Sequence, residues 1–281
     1  MTLQEELLPL TNQIRRDIIR QVHGVQSGHP GGSLGCVEIV ASLFFKIMHH
    51  NPAFNMDAKG EDVFFLSNGH ISPLLYSVLA RAGYFDVAEL ATFRKLDSRL
   101  QGHPATAEHL PGVRIASGSL GQGISVAIGT ALSKKLNGDD KTVFVLTGDG
   151  ELQEGQIWEA AMYAPHNRID NLVAIVDYNG QQIDGPVDKI LGLLSLRAKF
   201  EAFGWHVLDC EAGNDMDAVY AALAEAKASL GNGKPAVVLM KTVMGHGVDF
   251  MAGSHKWHGI APSDEQLANG LAQLPTTLQD Y

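Results

Sequence analysis

Cysteine is nearly absent from this sequence. Its two copies, Cys36 and Cys210, cannot build a disulfide framework and are expected as reduced, small core residues of a cytoplasmic protein. Long apolar runs are missing as well. No stretch reaches ~18 apolar residues without a charge or a glycine cluster, so no membrane-spanning helix is expected. The opening stretch, MTLQEELLPLTNQIRRDIIRQVHG, lacks the basic start, the unbroken apolar run and the cleavage site of a signal peptide, and reads as an amphipathic helix. Positive charge is scarce: 21 Lys and Arg stand against 31 Asp and Glu, a net charge of −10. Neutralising a nucleic acid backbone takes clustered Lys and Arg, so a nucleic acid partner is excluded. Internal repeats, low-complexity tracts and interdomain linkers are also lacking, and with 45% apolar against 19% charged residues the chain is expected to fold rather than stay disordered. A P-loop, GxxxxGK followed by Ser or Thr, does not occur.

Glycine and histidine are plentiful, 30 and 12 in 281 residues, and neither is needed to fill a core. Apolar spacing predicts a helix over Leu3–Val25, ending in the loop Ser27-Gly28-His29-Pro30-Gly31-Gly32-Ser33, which no helix is expected to continue through. A buried helix Cys36–Met48, a strand Asp62–Leu66, a helix to Arg81 and another over Val87–Phe93 follow. A loop from about Leu96 to Gly118 is long enough to suggest function, and a helix Gly121–Leu136 comes next. The strings TVFVL (Thr142–Leu146) and LVAIV (Leu172–Val176) read as fully buried parallel strands, joined by a helix Glu154–Ala164 into a βαβ unit. Helix, strand, helix and strand then alternate over Leu193–Phe203, Trp205–Cys210, Met216–Ser229 and Ala236–Lys241, with a tail helix Asp264–Ala272 before a frayed end. The expected fold is a single α/β domain over residues 1–281, a doubly wound, mainly parallel sheet with helices on both faces.

TVFVL runs into Gly148-Asp149-Gly150, and LVAIV into Asp177-Tyr178-Asn179-Gly180. Each alone is an ordinary turn. Together they flank one βαβ unit, and ligands of open parallel sheets bind beyond the carboxyl ends of the strands. Asp149 brings a carboxylate, Asn179 an amide oxygen, and the backbone near Gln181 a carbonyl. That all-oxygen set suits a hard cation, Mg²⁺ or Ca²⁺, with phosphate oxygens completing the shell. The helix starting near Glu154 would point its positive end at that phosphate.

These residues carry a resemblance. Gly148-Asp149-Gly150 followed by Asn179 resembles the thiamine diphosphate-binding motif. The longer string GDGELQEGQIWEAAMYAPHNRIDNLVAIVDYNGQQIDG, with SGHPGGSLG, LSNGH, GHP and SGSLGQG in order, resembles transketolase from about Ile14 to Pro262. The resemblance implies thiamine diphosphate with Mg²⁺ on Asp149, Asn179 and the Gln181 carbonyl. It implies cofactor contacts from Gly118 and Leu120 through their backbone, and a role for Glu154 in holding the cofactor or a subunit contact.

Four histidines, His29, His70, His103 and His258, lie in Gly- or Pro-flanked loops, where an imidazole can be aimed at a ligand and can move protons near neutral pH. By resemblance, His29 and His258 transfer protons at the reacting carbons of a ketose whose two-carbon ketol unit passes to an aldose. His103 hydrogen-bonds the terminal hydroxyl of the donor sugar, and His70 lies near the diphosphate. His255, three residues before His258, competes for that match; the Gly259 that follows favours His258. His23, His49, His50, His109 and His206 read as surface or structural.

Full-length transketolases add a pyrimidine-binding and a C-terminal domain, which bring the activating glutamate and the arginines for the sugar phosphate. The resemblance therefore implies a split enzyme: a C-terminal partner subunit of roughly 300 residues, the size of two domains, in an α₂β₂ assembly with the cofactor at the interface. A half-subunit of deoxyxylulose-phosphate synthase or 2-oxoacid dehydrogenase type is the enzymatic alternative, against which the LQEG string and the loops of His29 and His103 argue. A non-catalytic paralogue would have no need of Asp149, Asn179 and the four histidines. The ketose, whether a plain pentose phosphate, a sulfonated sugar or another modified one, is left open.

Overall fold

The computed structural model of the chain describes residues 1–275 and 278–281. Helix α1 (Leu3–Val25) has the expected bounds. The Thr2 hydroxyl accepts from the Glu5 N–H while the Glu5 carboxylate accepts from the Thr2 N–H, which satisfies donors that the first turn leaves free. Its periodic residues Ile14, Ile18 and Val22 are buried. The expected loop over 27–33 is partly helical. Pro30 starts a short helix, α2 (Pro30–Gly35), followed by α3 (Val37–Ser42) and a π-helical turn, Leu43–Ile47, where one continuous helix is predicted. Pro suits a first helical position, and every residue of α2 is buried. Tertiary packing thus overrides the ~1 kcal/mol that each glycine costs a helix.

After β1 (Val63–Leu66) and α4 (Ser72–Arg81), the segment expected as a helix from Val87 forms a 3₁₀ turn, Val87–Thr92. The predicted loop up to residue 118 holds one further turn, Thr106–Glu108. Then follow α5 (Gly123–Leu136), β2 (Val143–Gly148), α6 (Gly155–His166) and β3 (Leu172–Asp177). A hairpin of two-residue strands, β4 (Gln181–Gln182) and β5 (Gly185–Pro186), and a short helix α7 (Val187–Leu191) have no counterpart in the sequence expectations. The chain continues through α8 (Leu196–Phe203), β6 (His206–Cys210), α9 (Met216–Ala228), β7 (Ala236–Met240) and α10 (Asp264–Gln273).

The main sheet is parallel, in the order β1-β2-β3-β7-β6. Alternate strand residues feed two cores. Phe144, Leu146, Val173 and Ile175 pack with α1, α3, α4 and α9 on one face. Val143, Val145, Ala174 and Val176 pack with α5, α6 and α8 on the other. This is the expected doubly wound sheet, and strands buried on both faces explain the unbroken apolar strings. Cys36 and Cys210 are free and buried. Among the described residues, no helix is long and apolar enough to cross a membrane. The end expected to fray is instead docked: Asp280 pairs with Arg16 at 2.6 Å, and the Tyr281 ring lies 4.7 Å beneath the Arg20 guanidinium.

One buried ion pair fixes how the elements around the sheet's carboxyl edge meet. Arg15 of α1 donates to both Glu38 oxygens of α3 at 2.6 and 2.8 Å and, through Nε, to the His246 carbonyl at 3.1 Å. Removing one partner leaves a buried charge uncompensated. Glu38→Ala is expected to lower unfolding stability by about 3–5 kcal/mol, and Arg15→Met combined with Glu38→Leu by much less. Urea denaturation measures both, and equal losses would show that the pair is not what the site depends on.

Candidate functional site

Four adjacent strands end at one edge of the sheet. There stand Ser67–His70 after β1, Gly148–Gly150 at the end of β2, Asp177–Gln181 at the end of β3 and Thr242–Met244 beyond β7. Between them opens a cleft of about 370 Å³, lined among others by His70, Gly118, Leu120, Gly148, Asp149, Gly150, Glu154, Asn179, Gln181 and His258. The structure thus gathers into one cleft ten positions drawn from several separate segments between residues 70 and 258.

Asp149 is buried at the end of β2. Its Oδ1 accepts from the Gly150 N–H at 2.8 Å and its Oδ2 from the Gly180 N–H at 2.6 Å. Burial, and then the neighbouring Asp177 carboxylate, push its pKa up to about 7 against those backbone donors. Asp177 ends β3 in register with Gly148. It accepts from the Thr242 hydroxyl and, at 2.8 Å, from Asn179 Nδ2. That bond fixes the Asn179 amide, whose Oδ1 accepts from the Gln181 N–H at 2.8 Å.

Glu151, also buried, accepts from the Ser67 hydroxyl, from the Gly121 N–H at 2.8 Å and from the Gly148 N–H at 3.0 Å. It thereby ties the turn after β2 to the ends of β1 and of the 118–121 loop. Burial raises its pKa. Glu154, by contrast, is exposed at the start of α6 and its side chain caps nothing there. The N-cap of α6, Glu154, lines the cleft and leaves the first turn without a side-chain cap, a feature that favours an anion.

The histidines form a cluster at one wall. His29 lies 5.2 Å from His70, 5.4 Å from His258 and 6.1 Å from His103 between ring centroids, and His70 stacks on His258 at 4.9 Å. His255 makes none of these ring contacts and sits in a 3₁₀ turn beside the cluster. His103 packs on Gly118, where a Cβ would collide with its ring and where φ is +117°. Burial, with His258, Arg94 and His103 nearby, lowers the His29 pKa to about 4. Burial and the neighbouring His258, His29 and His103 push His70 well down. His103 is lowered by partial burial and by Arg94, and His258 by burial against the opposing pull of Asp184. All four imidazoles are therefore shifted toward their neutral form.

Several polar atoms here are buried without a partner: His29 Nδ1, Asn68 Oδ1, Ser117 Oγ and His258 Nδ1. Buried polar groups are normally satisfied, so these four point to a ligand. The charges lining the cleft are Asp149, Glu151, Glu154, Asp177 and Asp184, with no Lys or Arg among the described lining residues. A diphosphate placed there needs a cation to offset that negative field. No cluster of three His, Cys, Asp or Glu side chains among the described residues could hold a metal by itself. The donors available are one carboxylate, one amide oxygen and backbone carbonyls, a set that leaves room for phosphate oxygens.

Sequence reading passes over Glu151, Asp177 and Asn68. For Asp177 a signal exists, an acid closing a β-branched run two residues before Asn179. Glu151, inside the GDGELQEG string, carries no mark of its network.

The family model described as transketolase, thiamine diphosphate binding domain, matches residues 9–275. The chain is 37% identical over 274 residues to the 6-deoxy-6-sulfo-D-fructose transketolase subunit SqwG of Clostridium sp., covering 96% of this chain and 97% of that one. It is 38% identical over 271 residues to an apulose-4-phosphate transketolase subunit of Actinobacillus succinogenes, covering 96% of each. Among solved structures it resembles the transketolase of Campylobacter jejuni, with a TM-score of 0.89 and 33% identity; the match covers 100% of this chain and 44% of that one.

The lowered His29 pKa has a consequence for stability. The unfolded imidazole takes up its proton near pH 6.5, the folded one only near pH 4. Its contribution is complete above pH 6.5 and is lost as pH falls toward 4. Compared with wild type, His29→Gln is expected to lose less stability on acidification across that window. Thermal midpoints of the two at matched pH measure it; parallel curves would place His29 in water-like surroundings.

Proposed function

The chain belongs to the transketolase family, through its thiamine diphosphate binding domain, and from that membership we propose that it is the cofactor-anchoring N-terminal subunit of a two-chain transketolase, which moves a two-carbon ketol unit from a ketose to an aldose. The observation that carries this reading is that Asp149, Asn179, Gln181, His70 and His258 line one cleft, with His29 packed against both of those histidines and His103 against His29. Asp149, the Asn179 amide oxygen and the Gln181 carbonyl would hold Mg²⁺, or Ca²⁺ in its place, with the diphosphate. Gly148 and Gly150 let the backbone close on it. The uncapped start of α6 and His70 face the diphosphate, and Gly118 and Leu120 offer backbone contacts. Thiamine diphosphate, when bound, supplies the electron sink for breaking the carbon–carbon bond.

The residues of this chain handle protons and orientation. His29 and His258, neutral at working pH, take the proton from the sugar's 3-hydroxyl and return one to the acceptor. His103, the most exposed of the four, holds the donor's terminal hydroxyl. Glu154, exposed beside the cleft, meets the cofactor or the partner chain.

The whole chain is read as one diphosphate-binding domain, 1–281, with the pyrimidine-binding and C-terminal domains on a partner of roughly 300 residues, in a cytoplasmic α₂β₂ assembly. Relatives named as subunits match along nearly their whole length, whereas this chain spans 44% of a solved transketolase, which supports a two-chain arrangement. No Lys or Arg among the described cleft residues is placed to grip a phosphate or sulfonate. The anionic end of the ketose is therefore read by the partner, and a plain sugar phosphate, a sulfonated ketose or another modified one all suit this half.

With thiamine diphosphate and Mg²⁺, the chain alone is expected to consume no ketose, and to do so once its partner is added; robust turnover by the isolated chain would refute the two-chain reading. In the reconstituted enzyme, Asp149→Ala should abolish Mg²⁺-dependent cofactor binding by calorimetry, and unchanged affinity would remove Asp149 from the metal set. His29→Ala or His258→Ala should lower kcat by roughly 10²–10⁴-fold while cofactor affinity persists.

A further inference from the structure

Arg94 is a half-buried cation that pairs with no carboxylate among the described residues, in a left-handed backbone conformation (φ +55°). Its Nη1 donates to the Ser27 hydroxyl at 2.8 Å and its Nη2 to the Gly102 carbonyl at 3.4 Å. Ser27 is two residues before His29, and Gly102 is one residue before His103. The packing repeats the pattern. The guanidinium lies so close over Gly102 that a Cβ there would sit 2.7 Å from Arg94 Nε. The preceding residue, Phe93, lies under Gly28, where a Cβ would come within 3.3 Å of its ring. Phe93 and Arg94 thus seat the two glycines that introduce two site histidines. Leu100 closes the loop by accepting from the Arg94 N–H at 2.8 Å, so the side chain has a rigid base.

We propose that Arg94 is a positioning residue, a clasp that ties the loop of His29 to the loop of His103 and so sets the spacing of the two imidazoles on the sugar. This rests on the roles given to His29 and His103 above. The clasp has an electrostatic side. His29 faces His70, His103, His258 and Arg94, with Asp184 acting on His258 and Tyr76 on Arg94. Arg94 is the one permanent cation in that group and opposes protonation of both His29 and His103.

In the reconstituted enzyme, Arg94→Met is expected to lower kcat/KM for a ketose donor about tenfold or more, with cofactor affinity held within about twofold, because Arg94 does not line the cofactor cleft. It should also move the acid limb of the kcat/KM profile to higher pH, since removing the cation makes the imidazoles easier to protonate. Arg94→Lys keeps the charge but not the two-point reach, so it should lower kcat/KM and leave the acid limb in place. Unchanged kcat/KM in Arg94→Met, or loss of cofactor binding and folding in both variants, would overturn the clasp. If the wild-type pair transfers no ketol unit, the enzymatic reading fails, and the clasp is judged on the full chain alone by ring-carbon NMR. There the His29 and His103 signals should titrate at higher pH in Arg94→Met than in wild type, and identical titrations would overturn it.

Discussion

Two carboxylates buried side by side govern this structure. The register of β2 on β3 sets Gly148 opposite Asp177, and the Asp149 N–H donates to the Asp177 carbonyl at 3.1 Å. Like charges at close range in a buried site disfavour ionisation, and a fold selected for stability alone would have no reason to keep both. The surroundings instead supply donors to each: two backbone N–H groups to Asp149, and Thr242 and Asn179 to Asp177. The pair is held in place by neutral donors rather than by a cationic side chain, which leaves the site open to a cation. The same bond that steadies Asp177 orients Asn179, so the carboxylate that is not a ligand prepares the amide that is proposed as one.

The histidine cluster follows an opposite electrostatic logic. Four imidazoles within about two ring widths cannot all be charged, and burial adds to their mutual repulsion. Acidic residues surround the proposed metal, while the wall at His29 and His103 faces the fixed cation Arg94. The acidic lining of the cleft therefore favours a cation, whereas the histidines next to Arg94 are disfavoured from taking up protons. Glu151 joins the two regions mechanically, because its three accepted bonds knit the β2 turn to the segments that lead to His70 and Gly118.

How much of this is legible in the sequence depends on the range of the forces involved. Helix α1 can be read to the residue because its cap, its apolar period and its end are all local. The strands β2 and β3 are legible because burial on both faces leaves an unbroken apolar string. Asp149, Asn179 and the loop histidines stand out because each is a polar residue beside a glycine, at a strand end or in a loop. Helix α2 escapes the reading because its propensity is poor and only packing makes it helical. The hairpin β4–β5 is too short to show a period. Glu151 and Arg94 are invisible for a related reason: their partners lie 3 to 84 and 8 to 67 residues away, and nothing beside them in the chain marks those contacts.

The openness of the cleft has a physical consequence. Its cleft opens at the carboxyl edge of the sheet, with Ile183 64% and Leu191 56% exposed along the 181–191 segment at its rim. Burying that apolar rim would exclude water and strengthen each charge interaction inside. In the proposed two-chain enzyme, a first chain that holds the cofactor and a second that reads the sugar would let substrate range change in the second without disturbing the buried charges of the first. Relatives of nearly equal length named for a sulfonated fructose and for apulose 4-phosphate are consistent with such a division, since the constraint described above depends on neither sugar.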